Sequence, residues 1–175
     1  KGKNLQKTGY DSIDRLISGM TRGEITIVAG RPGNGKTTLA ANIARRLVLN
    51  GKTVVMFNRE MPNVEMMKKI IAMESGNLSY SNLRHGIDEN AIELHSTIDR
   101  ISKKYKNLFM FDDVRDLPSS IREIKRIKPD VVIDDHVGLI EFPSRDNRDL
   151  RIKIGEVSKK YKWLSKSENM SVILV

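Results

Sequence analysis

None of the 175 residues is a cysteine, so neither a disulfide framework nor a cysteine-ligated zinc site can hold this chain together. A reducing cytoplasm suits such a composition and is the expected location. No apolar run approaches the roughly 20 residues that cross a bilayer, and Lys1-Gly2-Lys3-Asn4 lacks the apolar stretch of a secretory signal. No membrane partner is therefore expected. Nothing repeats at a fixed period, and no segment is of low complexity. The three histidines show no spacing suited to a metal cluster, and His85 and His136 read as structural. Negative charge is also in short supply, with 22 Asp and Glu against 31 Lys and Arg for a net charge of +9. That excess favours a polyanionic partner such as nucleic acid, although much of it lies along helices whose basic faces are ordinarily solvated.

What is present centres on Gly30-Arg31-Pro32-Gly33-Asn34-Gly35-Lys36-Thr37-Thr38, which fills the Gly-x-x-x-x-Gly-Lys-[Ser/Thr] pattern of a phosphate-binding loop. The β-branched run Ile25–Ala29 before it reads as a buried strand. Leu39, Ala40, Ile43, Ala44, Leu47 and Val48 after it recur at helical spacing until Asn50-Gly51. That strand, loop and helix order is the context the pattern requires. Gly30, Gly33 and Gly35 permit backbone angles and close approach that a Cβ would block, so that amides can turn inward onto phosphate oxygens. The helix N-terminus adds partial positive charge. Lys36 is expected at the β- and γ-phosphates, Thr37 on Mg2+, and Thr38 near the α-phosphate of ATP.

The remaining elements alternate between helix and strand, the mark of an α/β fold. A lead-in over residues 1–24 carries a short helix with Ile13, Leu16 and Ile17 on one face. Strands are expected at Thr53–Phe57, Leu108–Phe111, Val131–Asp135 and Ser171–Val175. Helices are expected at Pro62–Glu74 (Val64, Met67, Ile70 and Ile71 at core spacing), Glu89–Lys104 (Ile92, Ile98 and Ile101 inward) and Ser119–Lys128. A long basic helix with Ile152, Ile154, Val157, Tyr161 and Leu164 precedes the last strand. Glu60 stands just past the carboxyl end of a strand, where open α/β sheets place their chemistry. It is a candidate for polarising an attacking water, and the competing reading is a cap on the next helix. Asp112-Asp113 reads as capping and turn formation. Asp134-Asp135 ends an apolar strand in the form of a second magnesium site. A domain is not expected to stop inside a fully apolar central strand, so more chain is expected after Val175.

Set side by side, these segments resemble the RecA-like ATPase domain of hexameric replicative DNA helicases of the DnaB type. Thr8-Gly9-Tyr10 through Gly19 resembles that family's lead-in, and Arg31-Pro32 before Gly35-Lys36-Thr37 its phosphate loop. Phe57-Asn58-Arg59-Glu60-Met61 is similar to its Phe-Ser-Leu-Glu-Met segment, and Leu83-Arg84-His85-Gly86 to Leu-Arg-x-Gly. Asp135-His136-Val137-Gly138-Leu139-Ile140 lies over Asp-Tyr-Leu-Gln-Leu-Ile. The resemblance implies one RecA-like P-loop domain over 1–175, with a mainly parallel sheet flanked by helices, incomplete after its fifth core strand. The last strand would lie between the phosphate-loop strand and the Asp135 strand. It implies Glu60 as the catalytic glutamate, Asp135 rather than Asp134 as the magnesium acid, and Arg145 and Arg148 as contacts to single-stranded DNA. It further implies a ring of six subunits moving 5′ to 3′, with a primase and a helicase loader as partners.

Two departures stand out. Asp134 occupies a position that is apolar in the family, and Gly138 replaces the usual Gln, as in a divergent, viral member. The resemblance also places an arginine finger beyond Val175, so this stretch alone is expected to hydrolyse ATP poorly. Alternative readings are a recombinase- or clock-type ATPase that remodels a filament or protein partner, and an idle paralogue in which nucleotide only supports assembly.

Overall fold

The structure, a computed structural model, describes residues 5–86, 91–142 and 149–175. In chain order its elements are β1 (Leu5–Gln6), α1 (Asp11–Ile17), β2 (Met20–Thr21), β3 (Ile25–Ile27), α2 (Lys36–Leu49), β4 (Val54–Asn58), α3 (Asn63–Glu74), α4 (Tyr80–His85), α5 (Ala91–Lys104), β5 (Leu108–Phe111), α6 (Leu117–Ile127), β6 (Val131–Asp135), a 3-10 turn (Val137–Leu139), α7 (Leu150–Ser167) and β7 (Ser171–Leu174).

The five longer-range strands form one parallel sheet in the order β3-β7-β6-β4-β5. The last strand thus lies between the phosphate-loop strand and the Asp135 strand, as the resemblance implies. Parallel strands need crossovers, and helices fill these connections on both sheet faces. Side chains alternate along each strand. Val54, Met56, Val131, Ile133 and Ile173 join α2, α3 and α5 in one core. Val55, Phe57, Val132, Val172 and Leu174 join α6 and α7 in the other. Because β4, β6 and β7 are covered on both sides, their continuous apolar runs are explained.

Burial corrects several expectations. The phosphate-loop strand is not fully buried: β3 is the edge of the described sheet, and Ile27 is 68% exposed. The lead-in helix buries none of its residues, with Leu16 at 86% exposure. In α3 the inward residues are Met66, Ile70 and Ile71, and Val64 faces out. In α5 only Thr97 and Ile101 are buried, while Ile92 is 85% exposed and Ile98 also points to solvent. Ile152 at the start of α7 is exposed as well. Periodicity identified a shared face in each case, but among the described residues no neighbouring element covers that part of it.

The lead-in has its own anchoring. β1 and β2 pair antiparallel, an addition to the short helix expected in the lead-in. Asp14 accepts from Thr8 N and Oγ1 at 2.8 and 2.9 Å. Arg46 of α2 donates to the Gly9 carbonyl at 2.6 Å and lies 4.1 Å over the Tyr10 ring. Gly9 has φ +85, and a Cβ there would meet the Arg46 side chain at 2.8 Å, so glycine is required.

Two stability outcomes follow. Ile173 is fully buried in the second strand of the sheet, and Ile173→Ala should cost about 2–5 kcal/mol in urea unfolding, whereas Leu16→Ala should cost under about 0.5 kcal/mol. Asp116 caps α6 by accepting from Ser119 N at 2.8 Å. The Ser119 hydroxyl, then its amide, hold the Asp116 carboxyl below its ordinary range. A lowered folded-state value means that the cap stabilises fully above the unfolded carboxyl's pKa of about 3.9 and fades as pH falls through the folded value. Relative to Asp116→Ala, the parent should be more stable by about 1 kcal/mol at pH 7, and that advantage should shrink below about pH 4.

Candidate active site

The carboxyl ends of β3, β4 and β6 converge on a cavity of about 660 Å³. Its lining includes Gly30, Pro32, Gly33, Gly35, Lys36, Thr37 and Thr38 from the loop, Glu60 and Met61 from the end of β4, and Lys69 of α3. His136 and Leu139, from the segment after β6, close the far side. Arg31 and Asn34 belong to the same loop, where Asn34 N donates to the Arg31 carbonyl at 3.2 Å. Gly33 and Gly35 adopt φ +80 and +77, and no atom lies within 4 Å of a Cβ built on either. The left-handed backbone, not crowding, requires glycine at both positions. Gly30 differs from the expectation: its φ is not left-handed, and a Cβ there would make only ordinary contact with Lys36 at 3.7 Å.

Gly35 is the N-cap of α2, which has neither a side-chain cap nor an acidic residue in its first turn. Its leading amides therefore face the cavity available for an anion. Lys36 Nζ donates to the Arg31 carbonyl at 3.4 Å, which folds the ammonium back over the loop.

The two strand-end acids have different surroundings. β4 pairs with β6 in a register that sets Phe57 opposite Asp134 and Asn58 opposite Asp135. Alternation then turns Asp134 toward α6 and α7, where both its oxygens bind Arg59 and one also accepts from the Tyr161 hydroxyl. Burial works against the Arg59 charge, and Asp134 more than offsets it, leaving the guanidinium above its ordinary value. Burial beside Asp134 also pushes the Tyr161 phenol well up. Asp135 faces the phosphate loop instead. Burial raises its carboxyl above the ordinary range, and the Glu60 and Asp134 charges add to this, against the Thr37 hydroxyl and His136.

Glu60 is exposed at the cavity. The alternative role of capping α3 is taken by Asp112, whose Oδ2 accepts from Asn63 N at 2.7 Å. The expected capping function of the Asp112-Asp113 pair is thereby located. Arg145 and Arg148 lie outside the described residues.

Asp135 Oδ1 is buried without a hydrogen-bond partner among the described residues, and so is Asn58 Oδ1 beside it. The Asp135 carboxylate and the Thr37 hydroxyl coupled to it are hard oxygen donors at the loop, which fits Mg2+ and its water shell. Among the described residues no cluster of three His, Cys, Asp or Glu could hold a metal by itself. Sequence reasoning passed over Asn58 and Lys69. Asn58 was accessible through alternation, since it shares a face with Glu60; Lys69 was hidden in a helix read only for its packing. Gly138 also acquires a reason: a Cβ there would come within 3.1 Å of His136 Nε2, while Nδ1 of that ring lies 3.1 Å from the Val175 carbonyl.

A parallel sheet with a glycine-lined loop at one strand end and an acid two strands away is the arrangement of a RecA-like phosphate-loop core. Residues 6–175 match the DnaB-like helicase C terminal domain, and the chain belongs to that family. It is 33% identical to the replicative DNA helicase DnaB of Buchnera aphidicola subsp. Schizaphis graminum over 95% of its own length and 37% of that protein's. It is 28% identical to the DnaB of Geobacillus stearothermophilus, covering 95% of this chain and 38% of the relative. The chain thus spans well under half the length of these relatives. Among solved structures, one of an ATPase domain superposes with a TM-score of 0.82 at 24% identity, covering 99% of this chain and 64% of that one. A DnaB-like replicative helicase, described with its interactions with primase, superposes at 0.81 with 25% identity over 98% of this chain and 43% of that one. Among the described residues no helix is long and apolar enough to cross a membrane.

Because φ rather than space constrains Gly35, Gly35→Ala should strain the loop by about 1–2 kcal/mol. The free loop is expected to relieve that strain by leaving the left-handed conformation, so that restoring it on binding weakens nucleotide affinity roughly tenfold in calorimetry while the thermal midpoint changes little.

Proposed function

We propose that this chain is the ATP-hydrolysing motor domain of a replicative DNA helicase. Mg-ATP sits on Gly33–Thr38, and the hydrolysis drives movement along single-stranded DNA. The observation that carries the reading is the convergence of Lys36, Thr37 and Glu60 on one cavity, with Asp135 behind it, coupled to Thr37 and Glu60, and its Oδ1 buried and unpaired among the described residues. Family membership supplies the use to which the energy is put.

The amides of the loop and the leading turn of α2 hold the phosphate oxygens, and Lys36 neutralises charge on the β- and γ-groups. Thr37 and Asp135 are the residues that would hold Mg2+. When bound, the ion would supply charge neutralisation to the triphosphate. The Glu60 carboxylate accepts a hydrogen bond from a water and aims its lone pair at the γ-phosphorus. The new bond is oxygen to phosphorus, and the bond to the β–γ bridging oxygen breaks, so that ADP departs with the electron pair. Positioning and charge placement account for the chemistry, and no covalent enzyme intermediate is required.

The working form is a ring of six, with ATP between neighbours, acting in the cytoplasm and moving 5′ to 3′ on the encircled strand. Arg145 and Arg148 contact DNA phosphates, and primase and a helicase loader are the partners. The +9 charge suits a polyanionic track.

In the native full-length protein, Lys36→Ala should abolish magnesium-dependent ATP uptake in calorimetry. Glu60→Gln should retain binding within about threefold while kcat falls roughly 10²–10⁴-fold. Forked-DNA unwinding at the parent rate by the Lys36→Ala protein would overturn the assignment.

A further inference from the structure

Arg59 and Asp134 are oppositely charged residues at the carboxyl ends of the neighbouring strands β4 and β6. Their side chains are 1% and 0% exposed, and they meet in a two-pronged ion pair. Arg59 Nε donates to Asp134 Oδ1 at 2.6 Å and Nη2 to Oδ2 at 2.9 Å. Nη2 also donates to Ser120 Oγ at 2.9 Å, and Nη1 to the carbonyls of Val114 and Arg115 at 2.8 and 2.9 Å. The Tyr161 hydroxyl donates to Asp134 Oδ2. Every guanidinium nitrogen is occupied.

A buried ion pair commonly adds no more stability than apolar residues of the same volume, so stability alone does not account for this one. What an apolar pair lacks is the polar grip on neighbouring backbone. The Arg115 carbonyl that accepts from Arg59 also accepts from Glu141 N at 3.0 Å. Arg59's own amide donates to the Asp135 carbonyl at 2.6 Å. One side chain therefore joins the end of β4, the end of β6, the loop between β5 and α6, and α7 through Tyr161. All of this lies on the sheet face opposite Glu60, which is the next residue.

We propose that Arg59, held by Asp134 and Tyr161, is a positioning residue for hydrolysis that fixes the chain where Glu60 leaves the sheet. Arg59 touches no nucleotide; it acts through the direction in which the Glu60 carboxylate emerges. Among the described residues no side chain clamps that carboxylate, so its aim is inherited from the backbone beneath it. The inference rests on Glu60 as the group that orients the water.

The test uses the native full-length protein with single-stranded DNA, comparing the parent with Arg59→Lys and with the apolar pair Arg59→Leu/Asp134→Leu. The pair leaves the Val114 carbonyl and the Tyr161 hydroxyl without their partners, so its melting midpoint should fall by several degrees, while Mg-ATP affinity stays close to the parent's and kcat falls roughly tenfold or more through misplacement of Glu60. Hydrogen exchange at the Glu60 and Met61 amides should quicken in parallel. Arg59→Lys keeps the charge but cannot span both carbonyls, and its kcat should lie between the two. An apolar pair with parental kcat and parental exchange overturns the inference. Should the pair fail to fold, Tyr161→Phe, which removes only the hydroxyl bond to Asp134, takes its place: a several-fold fall in kcat at unchanged affinity supports the inference, and parental kcat overturns it. A parent that does not hydrolyse ATP overturns the functional reading itself, which is a separate outcome.

Discussion

The register of β4 against β6 is the constraint on which the site depends. Asn58 lies opposite Asp135 and Phe57 opposite Asp134, so two parallel strands end together and present matched residues at one sheet edge. Side-chain alternation then divides the ends into two sets. Asn58, Glu60 and Asp135 face the phosphate loop, and Phe57, Arg59 and Asp134 face α6 and α7. A slip of one residue in either strand would exchange these sets and bury the wrong acid. The fully buried apolar runs preceding both ends hold that register, because a slip would also transfer Met56 and Ile133 from one core to the other.

Adjacent acids consequently meet opposite conditions. Asp134 has a guanidinium on both oxygens and a phenol on one, which is a complete set of partners for a carboxylate in a dry core. Asp135 keeps a buried oxygen unpaired, next to another on Asn58. An unpaired buried oxygen is destabilising. Tolerating two of them at the mouth of a phosphate loop makes sense where a cation and its waters complete the coordination. One acid is neutralised within the core, and the other is left with an oxygen open toward the loop.

The chemistry of the phosphate loop was legible because it is local: Gly33, Gly35, Lys36 and Thr37 act within one turn of chain, and their spacing carries the geometry. Strand positions were legible for the same reason, through short apolar runs bounded by turns. Strand order was not readable from the residues themselves and came from family resemblance, since pairing joins segments such as β3 and β7 that lie far apart in the chain. Burial was misjudged wherever a helix face had to be assigned a cover. Leu16, Val64 and Ile92 sit at inward spacing, yet nothing in the described structure packs over them. Periodicity reports that residues share a face; only tertiary structure reports what lies against it.

The two acids at 134 and 135 occupy an intermediate case. Neighbours on a strand must point to opposite sides, so only one of them could ever have faced the loop, and resemblance selected Asp135. The partner of the other was also within reach. Arg59 follows Phe57 by two positions and so shares its side of the sheet. Two unusual polar residues on one face of paired strand ends, of opposite charge, are most simply satisfied by each other, because an unpaired buried ion costs several kcal/mol. Opposite charges on one face of paired strand ends can reveal a contact before any coordinates exist. Here the support beneath Glu60 is a hydrogen-bonded one, which holds backbone carbonyls as well as filling volume.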